Sequence, residues 1–209
     1  MEPFDVRLSS AAFIVVDMQN DFVRVGAPLE VPDARATIAS IKDTLQVFRS
    51  AGRPVIFTRF IATPKETLLW KWSPQIYPPQ RCCHRGVSRT YSDITGEREC
   101  IAVIDELAPQ PGEAIVDKYG YGAFFRTNME DILRAEKVDT VAIAGTVTQI
   151  CVEETARESF HHGFKTIVLS DEVSSFDPEL QHAMLKNFAM KFGIVMDSAR
   201  LRALAEAPD

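Results

Sequence analysis

The stretch VAIAGTVTQICVEETARESF, Val141–Phe160, decides how this chain is read. Val141–Ala144 is an unbroken apolar run, the pattern of a strand buried on both faces. Gly145 permits a sharp turn, and from Val152 the spacing of apolar residues becomes that of a helix ending near Phe160. Cys151 therefore stands at a strand-to-helix junction. A thiol there meets unpaired backbone N–H groups and the positive end of a helix dipole, both of which favour its thiolate. Close packing is the other ordinary use of a free cysteine, so the rest of the chain has to decide between the two.

The same kind of run recurs at AAFIVVD, RPVIFTRF, EAIVDK, DTVAIAG and KTIVLSD, with a weaker one at FGIVMDS. Between the runs lie amphipathic segments, among them DARATIASIKDTLQVFRSAG, NMEDILRAEKV, VEETARESFHHG and PELQHAMLKNFAMKFG. Strand and helix alternating in this way predict an α/β, three-layer Rossmann-like fold: a mainly parallel sheet of about six strands with helices on both faces. Asp33 is placed as the N-cap of the first long helix, and Gly52 and Gly163 as C′ glycines. Residues 1–209 read as one domain, and 46% apolar residues suffice for a single large core. A proline-bearing, loop-rich insertion around 63–100, containing YPPQRCCHRG, is expected to form a lid or part of a subunit contact.

Net charge −6 and the absence of any lysine or arginine run argue against nucleic acid or an anionic membrane as partner and leave small molecules. The opening residues MEPFDVRLSS hold no apolar core of a signal segment, and no stretch approaches a bilayer span. Four cysteines are too few for a disulfide scaffold in a chain this long. The expected setting is the cytoplasm, with free thiols.

In an open parallel sheet, ligands bind beyond the carboxyl ends of the strands, so the polar residue closing each run is a candidate. The first run ends in Asp17, the third in Lys118, and the fourth leads through its turn to Cys151. A carboxylate can take the thiol proton and return it to a leaving amine, while the ammonium keeps the carboxylate ionised. The backbone N–H groups of Val147 and Cys151, in the turn before the helix, are placed to receive an oxyanion. Together these groups suit acyl transfer from an amide.

VVDMQNDF, DKYGYGAFFRT and AGTVTQICVEETARESFHHGF resemble, in order, the three signature segments of the isochorismatase-like cysteine hydrolase family. The resemblance implies a catalytic triad of Asp17, Lys118 and Cys151, a non-proline cis peptide joining Thr146 to Val147, and a homo-oligomer. It points to the amidohydrolase branch, nearest the ureidoacrylate, biuret and carbamoyl-type hydrolases, cleaving a small amide or ureide through a thioester. Two alternatives stay open: hydrolysis of a vinyl ether as by isochorismatases, and a non-catalytic binding or assembly role. The nicotinamidase branch carries metal-binding histidines after its second strand, where this chain has FTRFIATPKETLLWKW, so no metal and no cofactor are expected. His84 with Cys82, Cys83 and Cys100 fits no standard zinc spacing.

Substrate contacts are expected from Arg59, which ends the second strand and offers a planar fork to a carboxylate or ureido carbonyl. Phe22, Trp70, Trp72, Tyr121 and Phe124 are candidate pocket walls.

Overall fold

Strands buried on both faces need cover on both faces, and the arrangement follows from that. The structure, a computed structural model, describes residues 4–206. Its strands are β1 (Ala11–Val16), β2 (Val55–Phe60), β3 (Ser88–Thr90), β4 (Glu97–Glu99), β5 (Ala114–Lys118), β6 (Thr140–Thr146), β7 (Lys165–Ser174) and β8 (Ile194–Met196). The helices are α1 (Asn20–Val23), α2 (Ala34–Ser50), α3 (Leu68–Trp72), α4 (Met129–Ala135), α5 (Glu153–His161), α6 (Pro178–Lys191) and α7 (Ser198–Glu206). Six strands form one sheet in the order β5-β2-β1-β6-β7-β8, and every pairing in it is parallel. β3 and β4 make a separate antiparallel hairpin inside the insertion.

Alternation along the strands divides the core into two halves. Phe13, Val15, Ala142 and Ala144 pack with Ile41, Leu45 and Phe48 of α2, and the Phe13 and Phe48 rings stack 5.3 Å apart. Ile14, Val16, Val141 and Ile143 pack with Met129, Leu133, Ala156 and Phe188 of α4, α5 and α6. The expected three layers are therefore present. Gly52 and Gly163 follow α2 and α5 with positive φ, as C′ glycines do. Asp33 differs: it lies in helical backbone and its side chain caps nothing. The side-chain cap sits instead on α6, where Asp177 accepts from the N–H groups of Glu179 and Leu180, each at 3.0 Å.

β1 and β6 are neighbours, but the chain leaves β1 toward β2 and leaves β6 toward β7, so strand order reverses between them. This is the crevice where such sheets bind ligands. Closure of the crevice needs Gly145: with φ at +113°, a Cβ there would lie 2.0 Å from the Val16 carbonyl oxygen.

The insertion is stapled to the strand ends by polar residues of the first motif. Gln19 Nε2 donates to the Phe60 and Ile101 carbonyls, and its Oε1 accepts from the Phe60 N–H. Asp21 accepts two bonds from the Arg89 guanidinium, one from the Tyr91 hydroxyl and one from the Cys83 N–H. Cys82 and Cys83 lie beside it with sulfurs 3.5 Å apart, all three groups within 4.8 Å. Because the Asp21 oxygens are already taken and burial pushes the Cys83 thiol well up, this cluster has the chemistry of a structural staple rather than of a metal site. No described helix is long and apolar enough to cross a membrane.

Candidate active site

β1 ends and the chain turns sharply at Asp17, a non-glycine residue at φ +49°. Asp17 is fully buried, and Thr58 of β2 holds it twice: the Thr58 hydroxyl donates to Asp17 Oδ1 at 2.6 Å and accepts from the Asp17 N–H at 3.2 Å. Oδ2 faces Lys118 Nζ at 2.7 Å, with both side chains wholly out of solvent. The ammonium also donates to the Gly120 and Tyr121 carbonyls at 3.1 and 2.8 Å. Burial alone would depress the Lys118 pKa, but the negative charge of Asp17, and that of the Cys151 sulfur when ionised, more than offset it, so the pKa is raised and the lysine stays charged.

Cys151 completes the group. After β6 the Thr146–Val147 peptide is cis, as expected, and Thr148–Val152 forms one π-helical turn before α5. The sulfur acts on both Asp17 and Lys118 and lines the cavity above them. Asp17 and Cys151 thus flank the switch point from β1 and β6, while Lys118 reaches in from β5, two strands from β1.

The thiolate expectation needs correction. Burial pushes the Cys151 thiol up to about 12; Lys118 pulls it down and Asp17 pushes it up again. Desolvation outweighs the nearby ammonium and so opposes the thiolate. Labelling of Cys151 by iodoacetamide should therefore be slow at pH 7 and rise about tenfold per pH unit through pH 9, because the thiolate fraction does so below the pKa. A labelling rate already flat between pH 7 and 9, followed by mass spectrometry, would contradict this account.

The cavity has a volume of about 430 Å³, within the usual range for small-molecule sites. Phe22 and Tyr121 line it as expected, with Val147 and Cys151 at its base. Trp70 does not: it is buried in the insertion, edge-on to Tyr77 and His84, and Trp72 lines the cavity instead. Phe124 does not either, since its ring stacks on His162 at 4.9 Å and packs near Phe164. Arg59 is likewise outside the cavity. It pairs across the strands with Asp117, Nε to Oδ1 at 2.7 Å and Nη2 to Oδ2 at 3.0 Å, and Arg85 joins the same carboxylate. The pleat explains the difference, because Phe60 and Lys118, one position on, are the cross-strand pair that turns to the site. Arg59→Ala should leave kcat/KM within about threefold of wild type and lower stability by about 1 kcal/mol, the scale of a half-buried charged pair. Steady-state kinetics and thermal melts read both.

Sequence reasoning missed several residues of the site. Thr58 was visible only as a polar residue inside an apolar run. Gln75 and Ser73 line the cavity from the insertion, and nothing local marked them. Glu158 of α5 accepts from the Phe124 N–H at 2.7 Å, and its carboxylate occupies the space a Gly122 side chain would need. It thereby holds the loop that carries the two carbonyls on Lys118.

Residues 11–200 match the model of the isochorismatase domain family. Ureidoacrylate amidohydrolase RutB of Agrobacterium fabrum is 32% identical over 205 residues, covering 93% of this chain and 89% of that protein. Nicotinamidase 3 of Arabidopsis thaliana is 31% identical over 194 residues, covering 92% and 87%. Among solved structures, a cysteine hydrolase from Pseudomonas syringae pv. phaseolicola superposes with TM-score 0.87 at 29% identity, covering 99% of this chain and 97% of that one. A family model spanning nearly the whole chain and relatives of this likeness establish that the chain belongs to the isochorismatase family.

Proposed function

We infer that this protein is a cysteine amidohydrolase that cleaves the C–N bond of a small amide or ureide through a thioester. The relatives named as amidohydrolases support the reaction class. The observation that carries the residue assignment is the buried Asp17–Lys118 pair beneath a thiol that lines a cavity. When a substrate carbonyl stands over Cys151, Asp17 takes the thiol proton and the sulfur forms a bond to the carbonyl carbon. The developing oxyanion is received by the Val147 and Cys151 N–H groups. The Lys118 ammonium, 2.7 Å from Asp17 Oδ2, stabilises the thiolate during this transfer. The C–N bond then breaks, and Asp17 returns the proton to the departing amine. A water gives its proton to Asp17, its oxygen attacks the thioester, and the acid leaves as the thiol is restored.

A thiol pKa raised by burial accords with this sequence, since the proton then has to be removed in step with attack. The same reading takes the enzyme to be cytoplasmic and homo-oligomeric, acting on a small molecule and not on nucleic acid or membrane; the net charge of −6 and four free thiols support the setting. Rapid quench with a slow amide, followed by peptide mapping, should find the acyl mass on Cys151. An adduct on Cys82, Cys83 or Cys100, or steady turnover with no adduct while Cys151→Ala remains active, would overturn the reading.

A further inference from the structure

Lys118 takes its position from a loop. Residues 120–124 follow β5, and the Gly120 and Tyr121 carbonyls accept from Lys118 Nζ, while Tyr121 also lines the cavity. This segment holds two glycines and belongs to no helix or strand, so its shape has to be fixed from outside. The fixing group comes from α5. Glu158 Oε2 accepts the Phe124 N–H at 2.7 Å, and the Phe125 N–H favours the same carboxylate. Gly122 permits the approach, because a Cβ on it would stand 2.2 Å from Oε2 and 2.5 Å from Oε1. Backbone N–H groups of the loop, not a lysine or arginine, are thus the polar partners of Glu158. Glu158 follows Cys151 by seven residues, about two helical turns, so the π-helical turn and α5 carry nucleophile and anchor along one continuous helix.

Resting on the amidohydrolase reading, we propose that Glu158 is a positioning residue: by pinning the loop to α5 it sets the two carbonyls that aim the Lys118 ammonium at Asp17 and at the sulfur of Cys151. Glu158 does not line the cavity, and its effect passes entirely through the loop. Cutting the link leaves Asp17, Lys118 and Cys151 unchanged but frees Lys118 Nζ from its fixed place 2.7 Å from Asp17 Oδ2. The thiolate that forms during attack then loses part of the ammonium's stabilisation, and small displacements of this kind cost rate steeply.

Two variants cut the link from opposite sides: Glu158→Ala removes the acceptor, and the new methyl of Gly122→Ala displaces the carboxylate. Each is read, beside its melting curve, by rapid-quench acylation of Cys151 with a slow amide and by the proton–nitrogen correlation signal of the Lys118 ammonium. Burial and hydrogen bonds slow exchange of those protons enough for detection, and loss of the signal in Lys118→Met identifies it. In both variants kcat and the acylation rate constant should fall at least about tenfold with KM within about threefold of wild type, and the Lys118 signal should shift or broaden. The double variant should be no slower than the slower single one, since both changes break the same link. If Glu158→Ala folds poorly, Gly122→Ala decides alone. In a folded variant, an unchanged acylation rate or an unmoved Lys118 signal would overturn the proposal and leave the hydrolase reading standing. A moved signal, with a wild type that no amide or ureide acylates, would support the anchoring of Lys118 and sink the hydrolase reading.

Discussion

Cys151→Ala should lower kcat/KM for amide hydrolysis by at least about 10,000-fold, because removing a nucleophile removes the covalent route and leaves only binding and oxyanion stabilisation. The substitution deletes one buried sulfur, so folding should survive; loss of a small buried group of this kind costs about 1–2 kcal/mol. Substrate Kd should change by less than about tenfold, since the cavity walls other than the thiol are untouched. Cys151→Ser should remain nearly as poor, as a hydroxyl is a much weaker acid than a thiol and Asp17 is a weak base. The measurements are steady-state kinetics, calorimetric Kd and thermal melts on one preparation. Equal hydrolysis of a vinyl ether by Cys151→Ala and wild type would favour the vinyl ether alternative, in which no sulfur is needed, while wild-type inactivity toward every amide, ureide and vinyl ether would favour a binding role.

Lys118→Met should damage both stability and rate. It leaves the Asp17 carboxylate fully buried with one oxygen facing the Thr58 hydroxyl and the other facing no charge. Breaking a buried pair from one side costs about 3–5 kcal/mol. At roughly 2–4 °C per kcal/mol for a chain of this size, the melting temperature should fall by about 10 °C. Turnover should fall at least about 1,000-fold, because the ammonium that favours ionisation of the Cys151 thiol is gone. Asp17→Asn combined with Lys118→Met removes both charges and should recover much of the lost stability while recovering no activity. A double variant no more stable than Lys118→Met would show that shape, not charge, governs this site.

Much of the molecule was legible without coordinates. The runs AAFIVVD and DTVAIAG could only be strands buried on both faces, because no alternation survives in them, and that alone demands helices above and below. The three motifs placed Asp17, Lys118 and Cys151 at strand exits, which parallel strands bring to one edge. The Thr146–Val147 cis peptide followed from the family resemblance. α7 and the β3–β4 hairpin escaped detection: the helix lies after the last weak run, and the hairpin has only three residues in each strand.

What the sequence determined by itself is the set of elements, their parallel order of use and the chemical type at each strand end, since these depend on residue patterns within a few positions. Tertiary structure alone decided where side chains spend their bonding capacity. Arg59 looked available until β5 set Asp117 beside it, and Trp70 until the insertion folded around it. Gln75, distant in sequence from Cys151, joins the same cavity. The Cys151 thiol is the sharpest case. Helix position and a nearby lysine argue for a thiolate, yet burial, a property of the whole packed molecule and of no local pattern, costs a lone charge more than one already paired ammonium returns.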